Sequence, residues 1–286
     1  MLPFMANPVR PTDDELDLFG ITHQGKVRAE NQDHFLIAMV HPQVVVYNTS
    51  LPSTESLPLR GSRLATVMVV ADGVGGAAGG NEAAQLATEA VTGFVSSTLR
   101  CYHSAGSAGD EEFFTSLDAA AVEAHRAVLA KSALRKDARQ MATTLTVCIA
   151  VWPWAYVVQV GDSRAYIYAG GKLKQITRDQ TVGQALVDQG AIPADKLEKS
   201  PLKHVLASAI GSDEALPEVT RFNIGEKGSL ILLCSDGLNK HVSDDEIASA
   251  ISTMTSSTQL ATQLLDLCLE RGGKDNITIL AACRRR

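Results

Sequence analysis

The stretch from Thr143 to Leu173, TTLTVCIAVWPWAYVVQVGDSRAYIYAGGKL, decides the fold. It holds apolar runs rich in Val, Ile and Tyr over Thr143 to Val151, Ala155 to Val160 and Ala165 to Tyr168, bounded by Gly, Pro or Asp as buried strands are. Pro153 and Trp154 leave room only for a tight connection between the first two runs. Gly170-Gly171, between Tyr168 and Leu173, is a hairpin signal because both positions accept positive φ. Strands joined this closely must run antiparallel.

Outward from this stretch, similar runs at Leu16 to Thr22, Phe35 to Val40, Val44 to Tyr47, Ala65 to Ala71, Leu230 to Cys234 and Ile277 to Ala281 are predicted strands. Helical periodicity covers Glu82 to Leu99 behind Asn81 as N-cap, and Glu112 to Leu134. A second pair covers Asp244 to Met254 behind the cap Ser243, and Thr258 to Glu270, stopped by Gly272-Gly273. Strand clusters alternating with helix pairs predict an α+β fold of sheets covered by helices. Asn48 to Ser62, Cys101 to Asp110 and Thr181 to Leu216 read as surface excursions, the last long enough for a flap or a small subdomain. None looks like a domain boundary, so a flexible segment over 1–15 and one domain over 16–283, with a flap insertion around 179–216, are expected.

With 286 residues, 45% hydrophobic and 20% charged, the chain has the composition of a soluble globular protein. A net charge of -6 argues against nucleic acid or anionic membrane as a partner, since both need a basic surface. The five cysteines, Cys101, Cys148, Cys234, Cys268 and Cys283, never reach Cys-x-x-Cys spacing and read as reduced, mostly buried thiols. The N-terminus has no apolar h-region after a basic start, and Leu145 to Val160, interrupted by Pro153 and Gln159, is too short for a membrane span. A cytoplasmic enzyme or binding protein is the starting class.

Acidic residues recur at strand ends: Asp33 before Phe35-Leu36-Ile37, Asp72 after Val69-Val70-Ala71, Asp162 after Val160, Asp236 after Cys234-Ser235, and Asp275 before Ile277. A carboxylate beside a buried strand is partly desolvated and needs a cation, donors or a proton. Any one Asp-Gly after a strand reads as a turn. Several carboxylates converging from different strands imply hard divalent cations, and without a His or Cys cluster the oxygen ligands point to Mg²⁺ or Mn²⁺.

A rival reading starts at Gly73, where Gly73-Val74-Gly75-Gly76-Ala77-Ala78 fits the relaxed dinucleotide fingerprint between a strand and a helix. No second strand ends in a ribose-binding acid at the required distance, and Asp72 would set negative charge against a pyrophosphate. Arg28, just before Asn31-Gln32-Asp33, reads as a surface charge or as a guanidinium that takes two phosphate oxygens. No P-loop, Cys-based phosphatase spacing or Gly-x-Ser-x-Gly elbow is present, which disfavours a covalent nucleophile.

The ordered set of motifs resembles the protein phosphatase 2C family, the metal-dependent serine/threonine phosphatases, in its compact bacterial form. The matching stretches are Gly25-Lys26-Val27-Arg28-Ala29-Glu30-Asn31-Gln32-Asp33, Ala71-Asp72-Gly73-Val74-Gly75-Gly76, Ala142-Thr143-Thr144-Leu145, Gly161-Asp162-Ser163-Arg164-Ala165-Tyr166, Ser235-Asp236-Gly237-Leu238 and Asp275-Asn276-Ile277-Thr278. The resemblance implies a central β-sandwich of two antiparallel sheets with a helix pair on each outer face. It also implies phosphoserine and phosphothreonine hydrolysis by direct attack of a metal-bridging water, without a phosphoenzyme.

Its implied roles are specific. Asp72 would bridge two Mn²⁺ or Mg²⁺ ions, the Gly73 carbonyl would bind one, and Asp236 and Asp275 would hold the first. Asp33 would support the metal-bound waters, Arg28 would hold the substrate phosphate, and Asp162 would help bind a third, weaker ion. Gln32 stands where many relatives carry Glu, Val74 where animal members use a histidine, Ala142 where Gly is usual, and Gln180 where His is common. Lys240 falls where animal members can have another acid. The implied partners are phosphorylated protein substrates and an opposing serine/threonine kinase, with the protein itself a monomer. Two other readings stay open: a phosphoprotein-binding module of weak or no activity on the same fold, and a dinucleotide-binding oxidoreductase.

Overall fold

The structure, a computed structural model, describes residues 9–75, 79–104, 110–135, 141–197 and 200–285. Strand β3 (Ala65–Val74) is apolar on both faces over most of its length and must therefore be covered twice. Val67, Val69 and Ala71 turn outward against α1 (Gly79–Ser104) and α2 (Asp110–Ala133), meeting Ala83, Ala87, Phe113 and Leu117. Met68 and Val70 turn inward, where they join Cys148, Val157, Ala165, Ile231, Leu233 and Leu280 in a second cluster.

That inner cluster is the seam between two sheets. One runs β2 (Asp33–Val40), β3, β5 (Leu145–Val151), β6 (Trp154–Val160) and β9 (Glu218–Asn223), with the short β4 (Ala142–Thr143) beside β3. The other runs β1 (Leu16–His23), β11 (Ile277–Arg284), β10 (Leu230–Cys234), β7 (Arg164–Ala169) and β8 (Lys172–Gln175). The strand pairings in both are antiparallel. Outside the second sheet lie α5 (Asp236–Asn239), α6 (Asp244–Thr253) and α7 (Ser257–Glu270), which bury Leu238, Ile247, Ile251, Leu260 and Leu264 against Leu232 and Ile279. Each fully buried Leu or Ile contributes about 1.5–3 kcal/mol through removal from water, so these clusters dominate the fold's stability. The expected helix–sheet–sheet–helix sandwich is the one observed.

Several expected details differ. Val44 to Tyr47 is not a strand: a lone bridge joins Gln43 to Arg60, and Val44, Val45 and Tyr47 are exposed. Strand β9 is not among the expected strands, because as the outer strand of its sheet it has only exposed and half-buried positions and carries no apolar run. The run from Thr143 is split at Thr144 into β4 and β5. Helix α1 begins at Gly79, so Asn81 lies inside it and bonds to the Asn31 carbonyl and the His34 ring instead of capping. Helix α1 also extends to Ser104, past the expected end at Leu99; the rest of that excursion, 105–109, lies outside the described residues, as do 1–8. Ser243 caps α6 as expected, in a reciprocal capping box with Glu246. The insertion after Asp179 folds as α3 (Val182–Asp188), α4 (Ala194–Leu197) and a single 3₁₀ turn over Pro201–His204. Cys148, Cys234 and Cys268 are buried free thiols. Among the described residues no helix is long and apolar enough to cross a membrane.

Candidate active site

A cavity of about 970 Å³ is walled by Arg28, Gln32, Asp72, Gly73, Asp162, Asp236, Lys240 and Asp275. Five different strand ends deliver its acids and the one behind them. Asp33 opens β2 and pairs across the ladder with Asp72 on β3. Asp162 follows β6, Asp236 opens α5 after β10, and Asp275 precedes β11. The structure therefore brings together every acid singled out in the sequence, although Asp33 stands off the cavity wall, 4% exposed.

Each acid is fixed by neighbours. Asp33 Oδ2 accepts hydrogen bonds from Ser235 Oγ and Thr278 Oγ1, both at 2.7 Å, from the opposite sheet. Thr144 serves two acids: its hydroxyl accepts from the Asp72 amide at 3.0 Å and bonds Ser163 Oγ at 2.8 Å, next to Asp162. Its own amide donates to the Asp72 carbonyl at 2.9 Å, which explains the break between β4 and β5. Asn276 holds the loop that carries Arg28, donating to the carbonyls of Gln24 and Glu30 while accepting from the Gln32 amide. Gly237 lets α5 sit directly on that turn, since a Cβ there would lie 1.9 Å from the Asn276 carbonyl oxygen. Gly73 likewise meets Gly80 at the start of α1, where a Cβ would stand 2.5 Å from its carbonyl.

Burial and crowding raise the acids' proton affinity. Burial lifts Asp33 to about 6, aided by Asp236 and Asp275 and opposed by its two hydroxyl donors. Asp72 is raised well above the usual carboxylate range, first by burial and then by Asp33, Asp236, Asp162 and Asp275. Asp162 reaches about 8 through burial, Asp236 and Asp179. Asp275 moves the other way: burial would raise it, but hydrogen bonds from Arg28 and Lys240 outweigh that. Such opposed shifts in one cleft mark a site built for charge.

Two cations already sit on these acids. Arg28 reaches Asp275 with Nη2 at 2.9 Å from Oδ2 and Nε at 2.6 Å from Oδ1. Lys240 Nζ stands 2.5 Å from Asp236 Oδ2 and 2.6 Å from Asp275 Oδ2. With the carboxylates so engaged, no three acidic, histidine or cysteine side chains among the described residues close on a single point as they stand. Even so, Asp33 Oδ1 and Asp236 Oδ1 are buried and accept no hydrogen bond. Buried carboxylate oxygens that accept no hydrogen bond suit a hard cation, and oxygen-only ligation suits Mg²⁺ or Mn²⁺.

The base of the insertion after Asp179 is tied to the same end. Gln180 Oε1 accepts from the Gly161 amide at 2.8 Å and its Nε2 donates to the Leu216 carbonyl at 2.9 Å. Asp179 accepts two bonds from Arg164, whose Nη1 also donates to the Tyr166 hydroxyl. The grip of Lys240 on two carboxylates and the anchoring by Thr144 and Asn276 lay beyond the sequence reading, because each spans long separations or needs side-chain directions; the motifs containing Thr144 and Asn276 were the available signal.

A protein phosphatase 2C family model matches residues 58–271. The serine/threonine protein phosphatase PstP of Mycobacterium tuberculosis is 33% identical over 218 residues, which is 76% of this chain and 40% of that protein. This chain thus spans well under half of that relative. A crystal structure of the M. tuberculosis phosphatase PstP/Ppp superposes with a TM-score of 0.73 at 30% identity, covering 95% of this chain and 99% of that one. A PstP catalytic domain in complex with 2 manganese ions superposes at 0.70 and 30% identity, with the same coverage of 95% and 99%.

Proposed function

Because the chain belongs to the protein phosphatase 2C family, we propose that it is a metal-dependent phosphatase acting on phosphoserine and phosphothreonine in proteins. The observation that carries this reading is the convergence of Asp72, Asp162, Asp236 and Asp275 on one cavity with Arg28, backed by orphaned oxygens on Asp33 and Asp236. Asp72, the Gly73 carbonyl, Asp236 and Asp275 would hold two divalent ions, Mn²⁺ or Mg²⁺, with Asp162 available to a third. Divalent cations, when bound, acidify the attacking water and draw charge from the phosphoryl oxygens.

The chain's own residues do the rest. Arg28 presents a planar fork that matches two phosphate oxygens and favours the charge developing on them. Asp33, fixed by Ser235 and Thr278 and raised to about 6 by burial, orients water beside Asp72. Val74 offers no proton to the leaving group, so water in the cleft must supply it. Water attacks phosphorus in line, and no covalent enzyme intermediate forms. Phosphoproteins are the substrates and a serine/threonine kinase the opposing activity; we assign the protein to the cytoplasm as a monomer.

The test is hydrolysis of p-nitrophenyl phosphate and a phosphothreonine peptide after chelation, with Mn²⁺ or Mg²⁺ then returned. Activity should vanish and come back with metal. A folded protein that stays silent with either ion refutes the phosphatase reading in favour of a phosphoprotein-binding module, and activity indifferent to chelation refutes the metal assignment.

A further inference from the structure

The cleft contains a cation of its own, held where a metal would have to bind. Lys240 lies one helical turn after Asp236, at the end of α5, with its amide bonded to the Asp236 carbonyl. Its ammonium bridges Asp236 and Asp275 across the junction of α5 and the turn before β11. The side chain is 24% exposed, and it borders both the main cavity and a second, polar one lined by Asp162, Arg164 and Asp179. We propose that Lys240 is an internal competitor of the divalent cation: it neutralises Asp236 and Asp275 in the metal-free protein and must swing off them for metal to bind, which sets the metal affinity. The inference rests on the metal reading given above.

The cleft gathers Asp72, Asp162, Asp236 and Asp275 with Asp33 behind them, and among the described residues Arg28 and Lys240 stand against them at contact distance. An ammonium hydrogen-bonded to two partly buried carboxylates is a charge-assisted pair, and a metal ligand must first be released from such a pair. Because Asp236 opens α5 and Lys240 caps its end, the competitor is never dilute: it acts as a tethered ligand at high effective concentration. Its second partner, Asp275, is also gripped by Arg28, so metal arriving at Asp275 displaces two cations and leaves both facing the cavity, where phosphate is to bind.

The experiment compares wild type, Lys240→Met and Lys240→Arg. Methionine keeps the aliphatic stem without charge, and arginine keeps the charge. Mn²⁺ binding is measured by calorimetry without substrate, and melting is measured in EDTA. Lys240→Met should bind Mn²⁺ about tenfold tighter while its metal-free form melts at a lower temperature; Lys240→Arg should stay near wild type in both. A lysine with a merely structural role would lower both quantities in Lys240→Met. Unchanged or weaker Mn²⁺ binding by a folded Lys240→Met overturns the proposal, while metal-dependent hydrolysis by the wild type would leave the phosphatase reading standing. Should Lys240→Met fail to fold, amine-reactive labelling of the wild type decides: Lys240 must become more reactive when Mg²⁺ is added, and unchanged reactivity at saturating Mg²⁺ overturns the proposal.

Discussion

Gly237→Ala tests whether the two halves of the site are set by one backbone contact. An alanine Cβ would fall 1.9 Å from the Asn276 carbonyl oxygen and 2.9 Å from its carbon, both backbone atoms that no side-chain rotation can move. To reach an ordinary 3.4 Å contact, α5 and the turn before β11 must part by about 1.5 Å. Asp236 and Asp275 flank that contact, so the separation is imposed on the carboxylates themselves. Overpacking of this kind costs about 1–3 kcal/mol, and near 2–4 °C per kcal/mol the melting temperature should drop by roughly 2–12 °C. A displacement above 1 Å at reacting groups should cut turnover about 10²-fold. The matched control is Gly93→Ala in the exposed middle of α1, where a Cβ meets nothing within 4 Å. There the same chemical change should stabilise by about 0.4–1 kcal/mol. Calorimetric melting and kcat on p-nitrophenyl phosphate at saturating Mn²⁺ read both. If Gly237→Ala melts and turns over like wild type, the contact does not position the acids and the reasoning fails.

Asp72→Asn should lose turnover with either metal yet raise the metal-free melting temperature, because an amide replaces a buried carboxylate crowded by four others; a lower metal-free melting temperature counts against this. Tyr166→Phe removes a buried hydroxyl that accepts from Arg164 and Asn239 and donates to Asp244, and chemical denaturation should show a loss of about 1–3 kcal/mol. In EDTA, stability should fall as pH rises from 5 to 8. Asp33 and Asp162, raised to about 6 and about 8, bind protons more tightly folded than unfolded, so their contribution is present in acid and lost across that window. The depressed carboxylates Asp275, Glu246 and Asp188 titrate below it, and His125, lowered by burial, opposes with a single group. A melting temperature that is flat or rising in EDTA over this range contradicts the reading.

The strands that were legible in the sequence are those buried on both faces, such as β3 and β5, whose apolar runs have no polar alternative. Strand β9 escaped notice because an edge strand owes its place to ladder bonds with β6, which any sequence can make. Val44 to Tyr47 misled for the opposite reason: β-prone residues form no strand where no face awaits them. At the site, acids at strand ends were legible because desolvated carboxylates demand an explanation. Their partners were not, since Arg28 meets Asp275 across 247 residues and Lys240 meets it across 35. Asn81 shows the same limit in miniature, a capping residue recruited to hold the Asn31 carbonyl.

The two hydroxyl bonds to Asp33 have a mechanical consequence. The seam between the sheets is largely apolar, and apolar contact is non-directional, so by itself it fixes the register of one sheet on the other only loosely. Directional bonds from Ser235 and Thr278 across that seam act as a pin against shear, at the end where the acids of both sheets must stay in register. Drift in length at the flap or in the 41–62 loop leaves the pin untouched, whereas slip of one sheet by a fraction of a residue would misalign Asp72 with Asp236 before the sandwich lost any buried area.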